Sequence, residues 1–76
     1  MPSLSFEEAK EILKNKSEEF ARIYQKHREL DKELLELEER RYLTPDEEIR
    51  EKKIKKDKLR LKDKMAEMIK EYQTSL

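Results

Sequence analysis

The chain's single histidine, His27, precedes Asp31 by one helical turn, and an imidazole beside a carboxylate is the pairing that general base catalysis uses. A catalytic site would also need a nucleophile beside the ring and a concave pocket to hold substrate away from water. No cysteine is available as nucleophile or metal thiolate, and the absence of glycine rules out a phosphate-cradling loop or an EF-hand loop. The carboxylate clusters Glu7-Glu8, Glu18-Glu19, Glu38-Glu39 and Asp46-Glu47-Glu48 are neighbours in sequence. Adjacent residues on a helix point about 100° apart, so these groups do not converge on a shared proton or cation. One histidine among scattered carboxylates makes a poor transition-metal site. The residues therefore predict neither an enzyme nor a cofactor or metal site, and His27 reads as a packed seam residue with Asp31 as its local partner.

The remaining chemistry is cationic. Lys52, Lys53, Lys55, Lys56, Lys58, Arg60, Lys62 and Lys64 form a basic patch within residues 50–64, a stretch with 9 basic and 3 acidic residues. On a helix these cations occupy nearly every azimuth, Asp57 and Asp63 interrupt them, and no aromatic interleaves for base stacking. The whole chain balances 19 basic against 19 acidic residues, so no global field draws it to nucleic acid or anionic lipid. Nucleic-acid association through this stretch is the weaker of two binding readings.

The elements that must position these groups are helices. Half of the residues are charged, 34% are hydrophobic and none is glycine, the composition of helices with solvated faces. Ser5 with Glu8, three residues on, forms a capping-box signature, flanked by Leu4 and Ala9 as a staple. From there two rows share a heptad face: Phe6, Leu13, Phe20, His27, Leu34 and Ala9, Lys16, Ile23, Leu30, Leu37. Thr44-Pro45-Asp46-Glu47 repeats the start signal, with Pro45 at the first helical position. The second seam is Ile54, Lys58, Leu61, Met65, Met68 and Tyr72, with Ile69 alongside.

The fold class predicted is all-α: a coiled-coil-like antiparallel two-helix hairpin with helices over about 6–42 and 45–72. It forms a single domain over residues 1–76 with residues 1–4 and 73–76 fraying. Residues 28–48 hold 4 basic and 9 acidic residues; a reversal around Leu43 sets residue i near residue 86 − i, acid beside base. That register brings Lys58 near Arg28 and Arg50 near Glu36.

The stretches His27-Arg28-Glu29-Leu30-Asp31-Lys32-Glu33-Leu34, Leu37-Glu38 and Ile54-Lys55-Lys56-Asp57-Lys58-Leu59-Arg60-Leu61-Lys62-Asp63 resemble the YdcH-like family of short bacterial proteins of unknown function. The resemblance covers roughly residues 24–68 and implies a bacterial, cytoplasmic helical hairpin with no established activity or cofactor. Tyr42-Leu43-Thr44-Pro45 departs from the family's usual turn, and residues up to Phe20 lie outside the resemblance.

Two helices cannot enclose stripes this wide, so an apolar edge should remain for a partner. The predicted interaction face is Phe6, Leu13, Phe20, Ile23, His27, Leu30, Met65, Met68, Ile69 and Tyr72, and the predicted partner is another protein or a second copy. No small-molecule substrate is expected, because two helices leave no pocket. Residues 1–8 lack a signal-peptide pattern, and no apolar run approaches the ~20 residues that span a bilayer. A cytoplasmic location off the membrane is the expectation.

Overall fold

Every helix start in the structure, a computed structural model describing residues 4–75, is a side-chain cap. The Glu8 N–H donates to Ser5 Oγ while the Ser5 N–H donates to Glu8 Oε1, both at 3.1 Å, opening α1 (Phe6–Lys16). Thr44 and Glu47 repeat the reciprocal box at 3.1 and 2.9 Å, with Pro45 leading α3 (Pro45–Thr74). Each box satisfies two backbone donors that a helix start leaves unpaired.

Between them the predicted first helix of 6–42 is corrected at two places, so the described residues form three helices rather than two. Ser17 adopts extended backbone (φ −113°, ψ 117°) and its Oγ accepts the Phe20 N–H at 3.1 Å, closing α1 and opening α2 (Glu18–Glu38). Lys14 and Lys16 lie at the C-terminal end of α1, and Glu18 and Glu19 at the N-terminal end of α2. Each pair complements its helix dipole, which favours two ends over one continuous rod. The second correction is the end of α2. Its last turn carries no base, and the carboxylates of Glu36, Glu38 and Glu39 sit where the dipole disfavours them. The helix stops at Glu38, and residues 39–44 form the connection.

α2 and α3 pair antiparallel. Glu33 joins Arg50 in a two-pronged ion pair (Nη2 to Oε1 2.8 Å). Lys58 Nζ donates to Asp31 Oδ1 at 2.5 Å, and Arg40 meets Glu47 beside the turn. Lys58 and Arg50 thus each find a carboxylate one turn from the residue that the 86 − i register names. Asp31 and Glu33 project about 200° apart on α2, so the two ion pairs clip opposite sides of the helix pair. All are partly exposed, so solvent screens them and each contributes little.

Burial holds the helices together. One cluster, Leu30, Leu34, Leu37 and Ile54, with Leu43 and Leu61 against it, closes the turn half. The other, Ala9, Leu13, Phe20, Met65 and Ile69, joins all three helices. α1 does not extend the α2 axis. Its first end meets α3 where Gln73 Nε2 donates to the Leu4 carbonyl at 2.8 Å, and its last end where Lys16 Nζ lies 5.9 Å from the Tyr72 ring centroid. A helix touching residues 72 and 73 from both its ends lies across α3, not along it. It covers the Met65–Tyr72 stripe that a two-helix hairpin would expose. Of the termini predicted to fray, Leu4 and Gln73 hold each other; residues 1–3 and 76 lie outside the described residues.

Candidate functional site: a lysine-rimmed apolar cleft

The crossing of α1 over the α2–α3 pair leaves a cleft of ≈ 430 Å³, so the expectation that this chain has no pocket is corrected. Phe6 and Lys10 reach it from α1, Tyr24 and His27 from α2, and Lys58, Leu59, Lys62, Met65, Ala66 and Ile69 from α3. Met65 and Ile69 are core residues that form its floor. Phe6 and Leu59 are walls left 48% and 59% exposed. Side by side on one cleft, these two keep apolar surface that another molecule can cover.

The cleft's charge has one sign. Three lysines line it and no carboxylate does. Lys58 is held by Asp31, and Lys10 Nζ sits 5.5 Å from the Tyr24 ring centroid, with Lys14 Nζ over the same ring at 4.4 Å. Lys62 makes no ion pair among the described residues. His27 responds to this field. Burial first, then the charges of Lys58, Lys62 and Lys10, push its pKa below the ordinary 6.5, against an opposing pull from Asp31. Its imidazole is therefore neutral at pH 7, and the lysines supply the positive charge. Asp31 is held below the usual carboxylate range by its hydrogen bond from Lys58.

No serine, threonine or cysteine lines the cleft beside His27. No group of three or more histidine, cysteine or carboxylate side chains gathers as a metal site among the described residues. A second hollow on the outer face of α2, lined by Gln25, Arg28, Glu29, Asp31, Lys32 and Leu35, is more open and mixes both charge signs.

The predicted interaction face is largely interior. Leu13, Phe20, Leu30, Met65 and Ile69 are buried, and Ile23, Met68 and Tyr72 pack around the three-helix cluster. Only Phe6 and the half-buried His27 open to the cleft from that set without being core. The basic patch divides. Lys58 and Lys62 face the cleft, Lys55 pairs with Glu51 at 3.8 Å, and Lys52, Lys53, Lys56, Arg60 and Lys64 are exposed on other azimuths. Tyr24 widens the apolar stripe beside the heptad rows, whereas Lys10, Leu59 and Ala66 are the lining residues that seam reading passes over. Lys10 and Leu59 carry no local signal, because only the crossing of α1 brings them to one place.

No helix among the described residues is long and apolar enough to cross a membrane. Neither the curated proteins nor the solved structures contain a match. A family profile does match, over residues 20–69, which spans α2 from Phe20 and α3 to Ile69 but leaves α1 outside. It is the family that the His27–Leu34 and Ile54–Asp63 stretches resemble. The chain belongs to the DUF465 family of proteins of unknown function.

Proposed function

We propose that this chain is a non-catalytic protein-interaction module whose recognition site is the cleft between its three helices rather than its heptad seam. One observation carries the reading: Phe6 and Leu59 stay half exposed around a floor of Met65 and Ile69, inside a rim of three lysines with no carboxylate. An exposed apolar surface within a charged rim is the make-up of a protein-docking site. The matching ligand is a helix that offers an apolar side chain among carboxylates. Apolar contact supplies affinity, and the opposed charges supply register and association rate.

The test is site-specific photo-crosslinking in the cells that make the protein, with a benzoylphenylalanine at position 59. Position 53, exposed but away from the cleft, is the control. Discrete protein adducts from position 59 and none from position 53 support the reading. Equal adducts from both positions, or none from either, contradict it.

A further inference from the structure

We propose that the occupant of the cleft is a second copy of this chain, docked about a two-fold axis so that Leu35 of each copy enters the cleft of the other. The proposal rests on the reading of the cleft as a docking site.

Among the described residues, five large hydrophobics are exposed: Phe6, Leu35, Tyr42, Ile49 and Leu59. Phe6 and Leu59 wall the cleft. Leu35, 54% exposed, lines the neighbouring hollow on α2 together with Asp31. Tyr24, His27, Asp31 and Leu35 follow one another at spacings of 3, 4 and 4 along α2, which places them on one stripe. The first two line the cleft, and Asp31 is bonded to the cleft's Lys58. Ile49 lies on the other side, next to the Arg50–Glu33 pair.

The charges around Leu35 complement those around the cleft. One turn away in each direction stand Asp31, Lys32, Glu38 and Glu39; Asp31 is already bonded to Lys58 of its own copy, which leaves the exposed carboxylates Glu38 and Glu39 to one amine. With Lys58 held by that Asp31, the cleft presents Lys10 and Lys62, which make no ion pair among the described residues, and no acid. Leu35 is eight residues from His27, about 12 Å along α2. A two-fold axis lying in the plane between the two copies, at right angles to the line from His27 to Leu35 and midway along it, therefore sets each Leu35 over the other copy's cleft and makes the contact twice. Such an isologous contact closes at two copies and builds no filament.

The purified full chain is examined by sedimentation velocity across a concentration series, with the photo-reactive residue at position 59. The expected result is a monomer–dimer equilibrium and an adduct joining position 59 to the peptide that carries Leu35 of a second copy. Leu35→Lys places a cation opposite the lysines and should raise the dimer dissociation constant at least about tenfold. Ile49→Lys, equally exposed on the opposite side, should leave it unchanged. Both variants must keep the wild-type circular dichroism melt. Glu38→Lys should also weaken the dimer, with Lys62→Glu in the same chain recovering part of the loss. A chain that stays monomeric while position 59 captures a different protein in cells overturns the dimer and keeps the docking cleft. A monomer with no adduct anywhere overturns both. A dimer whose adduct maps elsewhere, or that survives Leu35→Lys, overturns the two-fold arrangement.

Discussion

Leu13→Ala should release α1 while leaving the hairpin beneath it folded. α1 has eleven residues, too short to be stable alone in water. Its buried side chains are Ala9 and Leu13, and Leu13 is the larger by three heavy atoms. Burying a leucine contributes about 1.5–3 kcal/mol, and truncation in a site that cannot collapse costs about 2–5 kcal/mol. Taking the overlap, about 2–3 kcal/mol, the opening equilibrium of α1 should shift roughly 30- to 140-fold at 1.4 kcal/mol per tenfold. Native-state hydrogen exchange resolves the result by segment. Amides of residues 9–16 should exchange faster by that factor. Amides around Leu30, Leu34, Leu37 and Ile54, in the separate turn-half cluster, should change far less. Equal acceleration in all three helices would show one cooperative unit and refute the view of α1 as a separately docked strap. Unchanged exchange in α1 would refute Leu13 as its anchor.

Three further outcomes follow from the local geometry. Thr44→Ala removes the Oγ1 that accepts the Glu47 N–H in the α3 capping box, while the bond from the residue 44 backbone N–H to Glu47 Oε1 stays available, and should lower stability by about 0.5–2 kcal/mol, read from urea midpoints at unchanged m-value. Acidification should destabilise the protein in two stages. The folded pKa of His27 lies below its ordinary 6.5, so the unfolded chain binds the proton more readily, and stability falls as pH drops from about 6.5 through the lower folded value. Asp31 and Glu33, both depressed by their cationic partners, withdraw their contribution only as pH falls below the ordinary 3.8 and 4.5. Thermal melts against pH should show the upper stage vanish in His27→Gln and the lower stage persist. For nucleic acid, Arg50, Lys55 and Lys58 of the basic stretch already face carboxylates, so a mobility-shift assay at about 50 mM salt should show no complex. A salt-sensitive shift would make residues 50–64 the binding surface.

Much of the fold is legible in the residues because caps and periodicity are local. Ser5 with Glu8 and Thr44-Pro45 with Glu47 mark the starts of α1 and α3, and among the described residues every buried one lies on the rows read from heptad spacing or, for Ile69, alongside them. Heptad spacing hides the break at Ser17, because Leu13 and Phe20 keep their seven-residue interval across it and both are buried. Its signals are present nonetheless: basic Lys14-Asn15-Lys16 followed by Ser17-Glu18-Glu19 is a helix end followed by a capped start, and Lys16 interrupts the seam at that point. The early end of α2 follows from carboxylates crowding its last turn. The cleft is not legible, because it depends on the angle at which α1 crosses α3. Heptad spacing specifies which face of a helix is buried and says nothing of that angle.

The crossing of α1 supports both the cleft and the proposals built on it, and one distance tests it. The chain has no native cysteine, so Glu7→Cys and Arg60→Cys accept spin labels cleanly at exposed sites flanking the cleft walls Phe6 and Leu59. Were α1 to continue the α2 axis, residue 7 would stand level with position 79 of the register, about 28 Å along the axis from residue 60 at 1.5 Å per residue. Double electron–electron resonance on the doubly labelled chain, diluted with unlabelled protein, should give a single distance well below that value. A distance at or above about 28 Å would mean that α1 lies along the hairpin axis and that the cleft does not exist.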